Sequence, residues 1–264
     1  MVAGDTFWSV LRGKPLLQTL QRASANALRR VAAGHNRLRG SEIYRPPTDL
    51  RAFQEVQAHS DKPTDISDHL ERLFVEALQA RPSTIVELGV RGGESTFAFE
   101  RVARLAGADL VSVDAEEPTY ATDYEHWWFV ESDDLAFAEG FEKWCEENSV
   151  DPAIDVLFVD TSHRYEHTVA EIDRWFPHLA DDAVVLFHDT NMGHVFRRKD
   201  GTVGLSPNRG RDVVRALEGY FDSSFKETES FVTVSKGFVL EHYPFCSGLT
   251  VLRRVDRDVD DSLS

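Results

Sequence analysis

The chain has 264 residues, 42% of them hydrophobic and 28% charged, with two cysteines and a formal net charge of −16. Such a composition fits a folded globular chain with one large core and excludes a disordered or fibrous one. The charge is uneven. Residues 1–40 carry seven Lys/Arg against Asp5 alone, so the remainder carries −22, an acidic body that would repel nucleic-acid phosphates. No apolar run is long enough to span a bilayer, and Cys145 and Cys246 have no metal-type spacing. A chain without a disulfide framework, in a reducing cytoplasm, is the expectation.

In chain order, the basic stretch up to residue 40 places Leu16, Leu17, Leu20, Leu28 and Val31 at helical spacing. It reads as an amphipathic arm that packs on its own body or a second subunit, or that lies on a membrane surface. Pro46 and Pro47 end it, so residues 1–64 are expected to be arm and linker, 65–256 the main domain and 257–264 an acidic tail. Capping residues around Asp65–Asp68 open a helix over "HLERLFVEALQA". Short apolar strands and helical patterns then alternate. "STIVELGV", "ADLVSVDA", "IDVLFVD" and "AVVLFHD" read as strands; "ESTFAFERVARLAG", "DLAFAEGFEKWCEEN", "YEHTVAEIDRWFPHLA" and "GRDVVRALEGYF" read as helices. "SFVTVS" and "LTVLRR" read as a closing strand pair. Strands apolar on both faces, separated by helices, predict a doubly wound, mostly parallel α/β sheet with its ligands beyond the carboxyl ends of the strands.

Polar residues collect at those ends: Glu87, Asp114, Asp160, His188 and Asp189. After the first strand comes Glu87-Leu88-Gly89-Val90-Arg91-Gly92-Gly93-Glu94-Ser95, a glycine turn that lets backbone approach a ligand. It lacks both the dinucleotide G-x-G-x-x-G and the P-loop Gly-Lys-Ser/Thr patterns. A carboxylate at 87 suits a cationic ligand better than a pyrophosphate, and Asp114 stands where a carboxylate can accept ribose hydroxyls. A cationic group joined to a ribose points to S-adenosylmethionine.

With the motifs "VELGVRGGEST", "SVDA", "FVDTSHRYEHTVAEIDRW", "VLFHDTN" and "YPFCSGLTVL", residues 65–253 resemble the class I S-adenosylmethionine-dependent methyltransferases. They are most similar to the branch with the cephalosporin-hydroxylase-like proteins and the macrolide-sugar O-methyltransferases. The resemblance implies a Rossmann-like, seven-stranded sheet. It implies that Glu87, Gly89, Gly93, Ser95, Asp114 and Asp160 face the cofactor, with Ser132 and Asp133 at its adenine. It also implies a homo-oligomer.

Asp160 and Asp189 end neighbouring strands, and two convergent oxygen donors suit a hard divalent cation, Mg²⁺ above all. In the resembled family the position of Asp160 is a magnesium ligand, and two adjacent acids end the next strand; here those two are His188-Asp189, so Asp160, His188 and Asp189 form the expected metal set. His188 in place of an acid favours a softer ion, or leaves Asn191 to supply the oxygen, or marks a lost metal site. His163, three residues after Asp160, matches the family's general base, and imidazole suits removal of a hydroxyl proton. It could equally stand exposed beside a helix cap formed by Thr161 or Ser162. His167 and Asp173 read as surface or packing positions. The polar stretch 190–210 reads as a substrate lid or an ordinary insertion. The expectation is an O-methyltransferase acting on a hydroxyl of a small molecule, such as a sugar or glycosylated natural product. A catechol-type enzyme and a non-catalytic cofactor-binding accessory protein are the alternatives.

Overall fold

A computed structural model describes residues 14–206 and 208–255, with the side chains of 14–23 left aside. The expected tail 257–264, the first 13 residues of the arm, and the side chains of Leu16, Leu17 and Leu20 lie outside the described part.

Eight strands form one sheet: β1 (Thr84–Leu88), β2 (Asp109–Asp114), β3 (Trp127–Glu131), β4 (Ile154–Val159), β5 (Leu179–His188), β8 (Phe231–Ser235), β9 (Phe238–Tyr243) and β10 (Leu249–Arg254), in the order β3-β2-β1-β4-β5-β10-β9-β8. The first five are mutually parallel and the last three add antiparallel pairings. Among the described residues the count is eight rather than the expected seven. Phe231–Ser235 and Leu249–Arg254 do not pair with each other, because Phe238–Tyr243 lies between them. A short turn at Lys236-Gly237, both with positive φ, makes that hairpin.

Side chains alternate across the sheet with the period of two that strands impose. Val86, Leu88, Val185 and Phe187 point to one face, under α5 (Asp134–Ala138), α6 (Phe141–Asn148), α7 (Tyr165–Trp175) and α8 (Asp212–Phe221). Ile85, Leu110, Val156, Phe158, Val184 and Leu186 point to the other, under α2 (Arg51–Ser60), α3 (Leu70–Ala80) and α4 (Glu94–Ala106). Residues 134–148 form two helices rather than the single expected one. The break falls at Glu139-Gly140, where glycine weakens a helix interior by about 1 kcal/mol relative to alanine.

The arm is the helix α1 (Lys14–Arg39). Asn36 clasps the backbone of Val203 with both side-chain atoms, at 2.9 and 2.8 Å, while Leu28 and Val31 remain 56% and 70% exposed. Val203 belongs to a two-stranded hairpin, β6 (Val195–Arg197) with β7 (Val203–Leu205), built by the 190–210 stretch. Lys199 is committed to Asp68, and Arg198 donates to the Thr64 carbonyl, so neither is a free cation for a substrate. Both cysteines are buried and free. Among the described residues no helix is long and apolar enough to cross a membrane.

Candidate active site

The sheet order reverses at β1, with β2 on one side and β4 on the other, and a crevice opens beyond their carboxyl ends. A cavity of about 530 Å³ fills it, walled by the glycine loop, by residues after β2 and β3, and by the β4 loop. Its wall is acidic: Asp114, Glu116, Glu117, Asp133 and Asp160 line it, and Arg91 is the one Lys or Arg among the described residues that does. Nothing in the sequence spacing marks Glu116 and Glu117, which reach the cavity because the chain turns at Asp114.

The glycine loop is shaped by carboxylates. Asp114 Oδ2 accepts from the Val90 and Arg91 amides at 2.7 and 3.0 Å, and Oδ1 from the Glu116 amide at 3.1 Å. With about four acceptor positions on a carboxylate, Asp114 keeps room for one further donor rather than a pair of ribose hydroxyls. Gly89 has φ +89, and an added Cβ would lie 2.1 Å from the Asp160 carbonyl oxygen. Only glycine lets the loop press against the end of β4.

Glu87 and Gly93 stand behind the loop rather than on the cavity wall. Glu87 has the same parity as Ile85, which turns it under the first turn of α4. It is fully buried and accepts from Ser95 Oγ (2.6 Å), Ser112 Oγ (2.7 Å) and Thr96 Oγ1 (2.9 Å). Ser95 itself does line the cavity. Gly93, at φ +80, leaves space that Tyr120 fills: a Cβ there would lie 2.4 Å from the tyrosine. Ser132 and Asp133 both line the cavity, and Asp133 also caps α5 through the Ala136 amide at 3.0 Å.

Burial pushes the Glu87 carboxyl up to about 7, against the three hydroxyls that favour its anion. Between its ordinary value near 4.5 and about 7, the folded chain therefore holds a proton that the unfolded chain has lost. Stability contributed at this position falls as pH rises through that window and levels off above it. Relative to Glu87→Gln, the wild type should lose melting temperature between pH 5 and 7; melting curves that stay parallel across this range would show that Glu87 is ionised in the fold.

At the β4–β5 end, Asp160, His163 and Asp189 converge, one donor atom from each lying within 4.8 Å of the others. His163 Nε2 is 3.1 Å from Asp189 Oδ2, and Nδ1 is 4.0 Å from Asp160 Oδ1. Both His163 (φ +54) and Asp189 (φ +55) adopt left-handed backbone, uncommon outside glycine and a frequent mark of working sites.

His188, the third member of the expected set Asp160, His188 and Asp189, meets the two carboxylates from the buried side. Sharing the parity of Leu186, it turns to the opposite face, 3% exposed and edge-on to His69 at 5.7 Å. Its Nδ1 lies 3.2 Å from Asp160 Oδ1 and 3.6 Å from Asp189 Oδ1, and its Nε2 is buried without a partner. Burial opposes its charge, but the two carboxylates outweigh burial and raise the imidazole to about 9. Desolvation likewise opposes ionisation of Asp160, but His188 together with His163 and Arg91 outweighs it, so Asp160 is held below its ordinary range. Asn191 is turned away, its Nδ2 donating to the Pro244 carbonyl at 2.7 Å. No described residue of the 190–210 stretch lines the cavity wall.

His167, read as a surface or packing position, is half-buried. It lines the cavity and sits 2.9 Å from Asp134 Oδ1 and 3.6 Å from Glu171 Oε1. Its i,i+4 spacing to Glu171 was the one available signal; Asp134, 33 residues upstream, could not be placed beside it from spacing alone.

Residues 86–190 match a family model described as a methyltransferase domain. An uncharacterized protein of Sinorhizobium fredii is 32% identical over 126 residues, a match covering 42% of this chain and 14% of that relative. MycE, a methyltransferase from the mycinamycin biosynthetic pathway solved with Mg and S-adenosylhomocysteine (SAH), superposes with a TM-score of 0.50 at 16% identity, over 81% of this chain and 56% of MycE. An SAH-bound methyltransferase of Podospora anserina gives a TM-score of 0.46 at 13% identity, over 88% and 96% of the two chains. At these identities the structural likeness is one of fold. Residues 86–190 are thus similar to a methyltransferase domain, and the sheet shares the Rossmann-like fold of MycE.

Proposed function

We propose that this chain is an S-adenosylmethionine-dependent O-methyltransferase acting on a hydroxyl of a small molecule. The observation that carries the reading is the pairing of an acidic crevice with His163 and Asp189 at its β4–β5 end. A sulfonium cation is favoured where carboxylates outnumber the one arginine, and a pyrophosphate is not. Gly89, Ser95, Asp114, Ser132 and Asp133 line the crevice along which the cofactor would lie.

The chemistry asked of the protein is modest. A neutral hydroxyl attacks the methyl group poorly, so a base must take its proton as the oxygen–carbon bond forms. The Asp189 carboxylate, 3.1 Å from Nε2, favours the tautomer protonated there, which leaves the Nδ1 lone pair free on the side of Asp160. Proximity and exclusion of water then supply the remaining rate through a direct displacement at the methyl carbon. The protonated His188 balances the charge of Asp160 and Asp189 from behind and keeps the pair together.

A second reading is favoured by the closeness of the Asp160, His163 and Asp189 donor atoms. Two carboxylates and one imidazole fit a divalent ion, Mn²⁺ or a softer one before Mg²⁺, whereas MycE was solved with Mg. Such an ion, when bound, lowers the pKa of the substrate hydroxyl. His163 would then be a ligand and not the base. The sugar or glycosylated natural product expected from the motifs is the acceptor class we favour, in keeping with the biosynthetic setting of MycE.

Calorimetric titration with SAH should show one saturable site on the full chain, weakened by Asp114→Ala; absence of binding would overturn the cofactor assignment. With an acceptor in hand, activity that survives EDTA and dialysis supports His163 as base. Activity lost to EDTA and restored by Mg²⁺ or Mn²⁺ supports the metal-assisted reading.

A further inference from the structure

A second group of ligating side chains flanks the crevice. Asp134 opens α5, while His167 and Glu171 stand on successive turns of α7, on one helix face. His167 Nε2 lies 2.9 Å from Asp134 Oδ1 and 3.6 Å from Glu171 Oε1, and one donor atom from each residue lies within 4.8 Å of the others. Ligands around a tetrahedral zinc ion with bonds of about 2.0–2.1 Å stand roughly 3.3–3.5 Å apart. The two observed separations bracket that value.

Burial makes the group more than a cluster of charges. Asp134 and Glu171 are 7% and 1% exposed, and the second oxygen of each, Asp134 Oδ2 and Glu171 Oε2, is buried with no hydrogen-bond partner. Neither carboxylate pairs with a lysine or arginine among the described residues. Buried carboxylate oxygens without donors are costly, so a positive species is called for between them. Thr161 Oγ1 donates to Glu171 Oε1 and fixes that carboxylate from the β4 loop. His167, one-fifth exposed, faces the cavity and offers the way in.

We propose that Asp134, His167 and Glu171 form a binding site for a divalent transition metal of the zinc class, separate from the Asp160–His163–Asp189 group. One imidazole with two carboxylates suits zinc better than magnesium, and a fourth position is open to water from the cavity. The site would tie α5, α7 and the β4 loop together. It stands whether or not the chain transfers methyl groups.

The test uses the full chain carrying Asp160→Asn and Asp189→Asn, so that the other group does not titrate. After stripping with a chelator, Zn²⁺ is added in a calorimeter, and Co²⁺ in parallel with visible absorption. One equivalent of zinc should bind, cobalt should give a tetrahedral d–d band, and the melting temperature should rise with zinc. His167→Ala should remove the band and weaken zinc at least about tenfold, and Thr161→Val, acting through Glu171, should weaken it about 10–100-fold. No saturable zinc binding, or equal affinity in His167→Ala, would overturn the site and leave a proton shared between Asp134 and Glu171 in its place. Crystals of the wild type soaked in zinc give a check independent of any variant. An anomalous peak among the three side chains supports the site, and its absence there overturns it.

Discussion

Replacing His163 with asparagine should lower kcat about 10²–10⁴-fold, the usual contribution of a positioned general base, while SAH binds with unchanged affinity. Asparagine is the informative substitution because position 163 sits at φ +54, a conformation that asparagine accepts with little strain. The loss can then be assigned to the missing lone pair rather than to a disturbed β4 loop, and matched circular dichroism spectra would confirm it. Asp189→Asn should follow with a smaller loss. It keeps an oxygen near Nε2 but removes the charge that stabilises the imidazolium formed as the hydroxyl gives up its proton. If His163→Asn turns over an identified acceptor at the wild-type rate, the base lies elsewhere and the 3.1 Å contact with Asp189 is structural.

The two readings of this triad part on metal. With His163 as ligand, kcat rises with added divalent ion and saturates. With His163 as base, a hundredfold range of the ion leaves kcat unchanged.

Much of the fold was open to inspection in the sequence, because four of the five parallel strands are β-branched, apolar and bounded by helical patterns. The strands that escaped notice are those without that signature. Trp127–Glu131 is half-exposed at the sheet edge, and Phe238–Tyr243 alternates buried and half-buried residues as an antiparallel strand does. At the site, the strand-end positions of Asp160 and Asp189 could be read from the chain, but direction could not. Glu87 and His188 sit at strand ends as expected, yet their parity turns both under the α2–α4 face, one beneath Ser95 and Thr96, the other against His69. Adjacent residues at a strand end face opposite ways. Spacing cannot say which of two neighbours meets the ligand until the helix covering each face is known. His167 shows the converse, an unremarkable helix position made functional by a partner 33 residues upstream.

Gly89→Ala should be the most damaging single-atom-scale change in the chain, because it couples the two halves of the site. The substitution places a methyl group 2.1 Å from the Asp160 carbonyl oxygen and 2.8 Å from its carbon, both backbone atoms that cannot rotate away. It also forces alanine into φ +89, a left-handed cost of about 1–2 kcal/mol before any clash is counted. Relief requires the glycine loop and the β4 loop to separate. Separation breaks the 2.8 Å bond from the Asp160 amide to the Leu88 carbonyl and moves Asp160 relative to His188. With overpacking adding about 1–3 kcal/mol, the loss should reach a few kcal/mol and lower the melting temperature by several degrees. SAH binding and methyl transfer should both fall, since one loop carries the crevice wall and the other carries Asp160 and His163. Gly92→Ala is the control on the same loop: nothing lies within 4 Å of a Cβ there, and its stability should change little. A Gly89→Ala chain that melts like the wild type and still binds SAH would mean that the two loops are not in contact in solution, and the coupling between cofactor wall and base would have to be abandoned.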